Sequence, residues 1–372
     1  MLRKFSSRQI VLCGFCFCLL FVLLNIVLYL DFLPTYVPDA KYDINSLVDA
    51  SQCPACYGVF SSCREFKMEK MSHGHVFFGT FRNQPAVAKT VKNRDEKCAL
   101  LAKWIGGEHK CEDKRAYQEL ERTYKKGLEM KFLETFGLCP SRRLHRQMSP
   151  NDFYTLVFDY SLFLSLRSSI FGLMNIFPGI ISVCPQISVV QNMGKPLESF
   201  EKSSLVSRYR ISFEALKLAE TLSDTKSGFI LYMTDTALDN LVWTSDGRVV
   251  PVDLDDIHAV DIREVKEPDG YYIHKHEACS NDCVRYAPSE LCKYGSGDLN
   301  YYLMCKHVVN KLIFYDADED LLDVLEKCVS DGKERKREQH VKKLKNELFY
   351  RLSHTGIPVE LNFVTSEIKN GY

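Results

Sequence analysis

Apolar and polar positions follow several distinct rhythms along this chain, and each rhythm predicts an element. Ile10 to Leu30 carries no charged residue and one strongly polar one, Asn25. Twenty-one helical residues at about 1.5 Å each reach about 31 Å, the thickness of a bilayer hydrocarbon core. From Asp31 to Gln52 the chain turns polar and holds two prolines, in the manner of a stalk. Phe66–Val91 has the pattern of strands, with turns at Ser72–His75 and Arg82–Pro85. Residues 92–136 read as helix. Phe153–Val183 is strongly apolar, with Asp159 and Arg167 its only charges. Pro178 and Arg167 interrupt that run, which favours buried strands and a helix over a second membrane span. Leu205, Tyr209, Phe213, Leu216 and Ala219 fall near helical spacing and predict a long helix with a buried face. Leu241–Thr244 and Arg248–Val252 read as short strands joined by Ser245-Asp246-Gly247, a hairpin signal. Val341, Leu344, Leu348 and Leu352 share one face of a closing helix. Its basic run, Lys333 to Lys345, is interleaved with Glu334 and Glu338 and reads as a solvated face.

Charge and cysteine content then place these elements. Arg3, Lys4 and Arg8 precede the first apolar run, and Asp31 is the first charge after it. That asymmetry predicts a signal anchor with a cytoplasmic N-terminus and a luminal remainder. A cleaved signal peptide is the alternative, although its apolar region is usually shorter and no small-x-small site follows. Lysine plus arginine number 48, as do aspartate plus glutamate, so no global charge points to nucleic acid. Of fifteen cysteines, Cys13, Cys16 and Cys18 lie in the apolar run. The other twelve read as disulfides of an oxidising compartment, with a connectivity that spacing does not give. Cys53-Pro-Ala-Cys56 with Cys63 nearby lacks a second pair of ligands, which disfavours zinc.

The candidate chemistry lies around the predicted hairpin. Phosphoryl transfer needs a lysine for the nucleotide phosphates and a glutamate to hold that lysine. It needs an aspartate for the acceptor hydroxyl, and an asparagine with a second aspartate for the metal. In Tyr232-Met-Thr-Asp235-Thr-Ala-Leu-Asp-Asn240 an aspartate stands five residues before an asparagine, the spacing of a kinase catalytic loop. Asp253 follows in Val250-Pro-Val-Asp253-Leu-Asp255, thirteen residues after Asn240, where a metal-binding aspartate belongs. Upstream, Pro85-Ala-Val-Ala-Lys89 ends an apolar strand on a lysine, and Gly74-His-Val76 stands where a nucleotide-covering loop would close. Glu129 is the choice for the partner of Lys89, with Glu134 and Glu119 as rivals. Val189-Val-Gln191-Asn-Met193-Gly194 reads as the strand and hinge beside an adenine, or as a plain core strand with a turn.

Together these segments resemble the divergent protein kinase domain family of the secretory pathway, most closely its second, deleted-in-autism-1-like subfamily. Besides the loop residues, the resemblance rests on Cys53-Pro-Ala-Cys-Tyr-Gly58 and the late block from Cys279 through Leu291-Cys292 to Asn300-Tyr-Tyr-Leu-Met-Cys305. It implies a cysteine-rich α+β fold, two-lobed and kinase-like, behind the N-terminal signal anchor. The division is then tail and anchor at 1–30, stalk and cysteine-rich segment at 31–65, and N-lobe at 66–195. The C-lobe with a cysteine-rich insertion follows at 196–330, and an amphipathic helix and tail at 331–372. It also implies ATP with Mg²⁺ or Mn²⁺ as cofactor and residence in the Golgi or endoplasmic reticulum. The partner or substrate would be luminal or extracellular. Asp235, Lys89 and Glu129 would be catalytic, Asn240 and Asp253 would hold metal, and Gly74, Val76, Gln191 and Met193 would line the nucleotide. The chain departs from the pattern at several points. Glu69 and Met71 stand where two glycines should, and Met233-Thr234 replace the His-Arg that braces the catalytic aspartate. Ala237 replaces a phosphate-contacting lysine, Asp255 replaces a glycine, and no Ala-Pro-Glu segment follows. A transferase and a catalytically inactive binding module both remain open on these grounds.

Overall fold

A computed structural model describes residues 65–72, 76–90, 139, 141–148, 152, 155–156, 160–173, 176–184, 187–275, 286–330, 332 and 335–354 of the chain. The anchor at Ile10–Leu30, Cys53-Pro-Ala-Cys56, Gly74, the region 92–136 with Glu129, and Cys279 lie outside the described residues. The described part divides into two compact units, one of residues up to Thr90 with Ile181–Val190, the other of residues 139–180 with Gln191 onward.

The first unit is a five-stranded sheet. β1 (Phe66–Ser72), β2 (Val76–Phe81) and β3 (Gln84–Thr90) form an antiparallel meander, and β4 (Ile180–Cys184) and β5 (Ile187–Gln191) complete the order β1-β2-β3-β5-β4. Arg82 and Asn83 both have positive φ, 49° and 65°, the geometry of a two-residue hairpin turn whose twist matches the strands. Period-two alternation puts Phe66, Phe81, Ala86, Ala88, Ile187 and Val189 on one buried face. Val87 and Lys89 therefore lie on the opposite face of β3. Gly79 faces the bulged part of β1, where an added Cβ would meet the Lys67 carbonyl oxygen at 2.0 Å.

The second unit is mainly helical around short sheets. α1 (Arg142–Gln147) and α2 (Tyr160–Leu166) precede β6 (Gly194–Pro196) and the long α3 (Leu205–Ser223). β7 (Phe229–Met233), β8 (Leu241–Thr244), β9 (Val249–Pro251) and β10 (Ile257–Asp261) follow, arranged as an antiparallel β7–β10 ribbon and a three-stranded β6-β8-β9 sheet. β11 (Glu267–Tyr272) pairs in parallel with β12 (Tyr294–Gly297), with α4 (Pro288–Leu291) between them. α5 (Leu299–Leu303), a π-helical stretch (Met304–Val309), α6 (Asn310–Ile313), α7 (Glu319–Ser330) and α8 (Lys336–Ser353) close the unit. All five residues of β7 are buried, as expected for a strand covered on both faces.

The predicted long helix is α3, with Tyr209, Phe213, Leu216 and Ala219 among its buried residues. Ser204 caps it, its hydroxyl accepting from the Ser207 N–H at 3.3 Å. Val341, Leu344, Leu348 and Leu352 are all buried along α8. One residue of the basic run departs from the solvated face expected there. Arg337 is fully buried, paired with Asp298 and donating to the carbonyls of Cys328 and His274 at 2.9 and 3.1 Å. The boundary also differs from the division at residue 195. Residues 139–180 group with the second unit because Cys139 is disulfide-bonded to Cys292, and Ser141 and Arg143 both bond Asp261. A second disulfide joins Cys305 to Cys328, with a Cα–Cα distance of 6.1 Å. Among the described residues no helix is long and apolar enough to cross a membrane.

Candidate functional site

The loop expected to carry chemistry leaves β7 after Met233 and enters β8 at Leu241. Its entry extends the β7–β10 ribbon by one step, since Thr234 donates to the Asp256 carbonyl through both its N–H, at 2.9 Å, and its hydroxyl, at 2.7 Å. Asp235 follows, exposed, with Oδ1 accepting from the Ala237 N–H at 3.3 Å. This is the local bond an aspartate makes when it starts a turn. The Asn240 N–H then closes the turn onto the Ala237 carbonyl at 3.0 Å.

The exit is fixed by the β8–β9 hairpin. Leu241 pairs with Pro251, and one step further out the Val252 N–H donates to the Asn240 carbonyl at 2.9 Å. Asp253 is thus the next residue after a backbone bond to Asn240, and both side chains are half-buried. The hairpin turn is tight because Gly247 has φ 79°, a conformation that favours glycine. β8 also pairs with β6, so the expected hinge Gln191–Gly194 borders the same sheet. Gly194 must be glycine here, since a Cβ would meet the Trp243 carbonyl oxygen at 2.1 Å. Gln191 donates its N–H to the Gly179 carbonyl at 2.8 Å, while Gln191 is exposed and Met193 half-buried.

In the first unit, Val76 and Lys89 are direct cross-strand partners. Opposed residues of an antiparallel pair share a face, so the two expected nucleotide contacts point to the same side of that sheet. Gly74 and Glu129 lie outside the described residues.

Several side chains around the loop were not singled out by the spacing. Asn300, on α5, is fully buried and accepts from the Met233 N–H at 3.0 Å. Its amide donates to the Leu231 carbonyl at 2.9 Å and to the Ser223 hydroxyl at 3.1 Å. The Tyr286 hydroxyl donates to the Thr234 hydroxyl at 3.2 Å and lies 3.2 Å from His258 Nε2. Ser161, on α2, donates to Asp255 at 2.8 Å. Burial, with a smaller contribution from the Asp255 charge, pushes the neighbouring Tyr160 phenol far above its ordinary range and keeps it neutral. In the sequence Asn300 is marked only by its place in the late cysteine block, and no spacing rule marks Tyr286 or Ser161.

The donor chemistry fits a hard cation. Asn240 and Asp253 offer one amide oxygen and one carboxylate, a set that suits Mg²⁺ or Mn²⁺ sharing its remaining positions with phosphates and water. Among the described residues no group of three or more His, Cys, Asp or Glu could hold a metal by itself. Bound there, a cation would neutralise phosphate charge.

Residues 159–334 match a family model described as the protein-kinase domain of FAM69. The chain is 25% identical over 142 residues to proteins named "Divergent protein kinase domain 2A" from Xenopus tropicalis, Homo sapiens and Mus musculus. Those matches cover 36% of this chain and 33% of each relative, so the chain matches about one third of the relatives' length. Among solved structures, the complex of Rv3197 with erythromycin from Mycobacterium tuberculosis aligns with a TM-score of 0.30 at 12% identity. That alignment covers 62% of this chain and 56% of the other. Residues 159–334 are thus similar to the protein-kinase domain of FAM69.

Proposed function

We infer that the chain is a secretory-pathway kinase-like transferase that binds ATP with Mg²⁺ or Mn²⁺ and phosphorylates a hydroxyl of a luminal or secreted substrate. One observation carries this reading: the backbone bond from Val252 to Asn240, which brings both expected metal ligands to the mouth of one hairpin beside the loop of Asp235. In that arrangement Asp235 accepts the proton of the acceptor hydroxyl as its oxygen bonds the γ-phosphorus. The bridging bond to the β-phosphate breaks and ADP leaves. Within the first unit, Val76 and Lys89, both expected to contact a nucleotide, lie on the same sheet face. Two disulfides support an oxidising compartment, and with it the luminal side of an anchor at Ile10–Leu30. The names of the relatives support placement in the second subfamily.

A second reading is favoured by one specific contact. Asp255, which stands where a kinase has a flexible glycine, is bonded by Ser161, and Ala237 brings no cation to the loop. Such a domain would serve as a pseudokinase binding module. Thermal melting of the full chain with ATP and Mg²⁺ or Mn²⁺ separates the two, run beside Asp253→Asn and Lys89→Met. A ligand at a hundred times its Kd stabilises the native state by about 2.7 kcal/mol. A metal-dependent rise in Tm that both variants lose is the expected result. No rise at millimolar ATP sinks the transferase and leaves the binding module.

A further inference from the structure

We propose that the outer face of the α7–α8 hairpin is a self-association surface, on which a second copy of this chain docks about a two-fold axis. The two helices lie side by side and antiparallel. At one end Arg351 of α8 holds the Asp318 carboxylate, just ahead of α7, through both terminal nitrogens at 2.7 and 2.9 Å. At the other end Arg337, at the start of α8, donates to the Cys328 carbonyl near the end of α7 at 2.9 Å. Leu321, Leu325 and Cys328 of α7 are buried, as are Val341, Leu344, Leu348 and Leu352 of α8, so each helix turns its other side outward.

The outward sides carry opposite charge. On α7 the exposed charged positions recur at helical spacing as Glu319, Asp320, Asp323 and Glu326, with Lys327 the one base. On α8 the exposed positions up to Tyr350 are Lys336, Gln339, Lys342, Lys343, Asn346 and Tyr350 itself, with no acid among them. Lys327 pairs with Asp323 and Lys342 with Glu338, each within its own helix. Glu319, Asp320, Glu326, Lys336 and Lys343 form no ion pair with any described residue. A second observation separates this face from an ordinary solvated one. Among the described residues four large hydrophobic side chains are exposed, and three of them, Phe314, Tyr315 and Tyr350, lie at one end of this hairpin. Tyr315 is 93% exposed, three residues before Asp318, and Tyr350 is 61% exposed, beside Arg351. The turn of Phe314–Asp316 is fixed, because Arg208 on α3 donates to the Leu312 carbonyl at 2.8 Å and to the Asp316 carboxylate at 2.6 Å. Tyr315 is therefore presented on a rigid support, as an interface anchor is.

The two stripes also say what fits. A partner of one sign, such as an anionic membrane, gains from α8 what it loses to α7. A second copy matches both stripes at once, since a two-fold interface uses the same patch on each side. The axis that pairs unlike charges runs along the hairpin, between its helices. It sets α7 of each copy over α8 of the other, and it brings the two aromatic ends together. The surface uses no residue assigned to nucleotide or metal, so it stands whether or not the transferase reading does.

The test is sedimentation of the full chain in detergent. The wild type is expected to dimerise, with a Kd that rises at least about tenfold from 0.1 to 1 M salt as the Debye length falls from about 10 to about 3 Å. Tyr315→Ala with Tyr350→Ala should weaken the dimer at least about tenfold, as removal of aromatic anchors does. Lys336→Glu with Lys343→Glu makes the whole face acidic, and Asp320→Lys with Glu326→Lys makes it basic. Each of these two chains should be monomeric alone, the two should dimerise when mixed, and all four changes in one chain should restore the homodimer. That rescue is a result that a damaged fold cannot give. A wild type that stays monomeric up to about 100 μM overturns the proposal. So does a dimer that either charge reversal leaves at wild-type strength, which would place the contact elsewhere, in the apolar run Ile10–Leu30 for example. Loss of the dimer without rescue in the mixture or in the fourfold variant overturns it as well.

Discussion

Two aspartates stand at opposite ends of the β7–β10 ribbon and do opposite things. Asp261, at the end of β10 paired with Phe229, is buried and saturated. Its carboxylate accepts from the Ser141 hydroxyl at 2.6 Å, from Arg143 Nε and Nη2 at 3.0 and 2.8 Å, and from the Arg263 N–H at 3.2 Å. Arg143 in turn reaches the Ser227 and Gly228 carbonyls and lies 4.1 Å over the Phe229 ring. Asp235, just beyond the other end, is exposed and accepts a long bond from the Ala237 N–H. The difference shows how one residue type is consumed by the fold in one place and left to solvent in another. A buried carboxylate must use its lone pairs on the protein, because an unpaired buried charge is strongly disfavoured. An exposed one can leave lone pairs to water.

The largest expected effect breaks this comparison at the buried end. Asp261→Ala leaves the Arg143 guanidinium without its carboxylate and should cost about 3–5 kcal/mol in urea unfolding, as removing one partner of a buried pair does. Asp235→Ala should stay within about 0.5 kcal/mol of wild type while abolishing any phosphate transfer. Losses of similar size in both variants would dissolve the distinction.

Next in size is the disulfide at the same end. The Cys139 N–H donates to the Ala259 carbonyl of β10 at 2.9 Å, and its sulfur is bonded to Cys292, 153 residues away. Replacing both cysteines by serine should cost about 2–4 kcal/mol in the same unfolding experiment. The Asp235 loop should keep its exchange rates, since the bonds of Asn300 and Tyr286 to Met233 and Thr234 are intact.

A third aspartate sharpens the contrast through pH. Asp298 is buried against Arg337; burial outweighs the pull of the guanidinium and raises its pKa to about 6. A folded-state pKa above the unfolded one makes the native state the tighter proton binder. The stability this gives is therefore fully present below about pH 4, the ordinary aspartate range, and is lost as pH rises through about 6. Unfolding free energies of wild type and Asp298→Asn, compared from pH 4 to 7, should show that slope in the wild type alone. A smaller loss than at Asp261 or the disulfide is expected at Asp255: Ser161→Ala should cost about 0.5–1.5 kcal/mol, the net worth of one hydrogen bond. Should that variant also raise metal-dependent ATP binding, the Ser161 contact is what holds the site back.

Much of the architecture was legible because it depends on local pattern. The alternation in Phe66–Val91 gives the three-strand meander, since side chains of a strand alternate faces whatever the rest of the chain does. The spacing in Leu205–Ala219 and in Val341–Leu352 gives α3 and the buried face of α8 for the equivalent helical reason. Asp235, Asn240 and Asp253 could be named because a loop followed by a tight hairpin fixes their separation along the chain. Arg337 shows where this reasoning stops. Within a basic run it reads as solvated, and only the arrival of Asp298 and the Cys328 and His274 carbonyls makes its burial possible.

The sequence by itself determined the periodic elements, the loop spacing and the supply of cysteines, because each is a property of neighbours along the chain. Tertiary structure alone decided which aspartate is saturated and which faces solvent, how Cys139 meets Cys292, and that Asn300 and Tyr286 bond Met233 and Thr234 beside Asp235. Those contacts join residues tens of positions apart, and their strength comes from water excluded on folding. No local pattern records where that exclusion will happen.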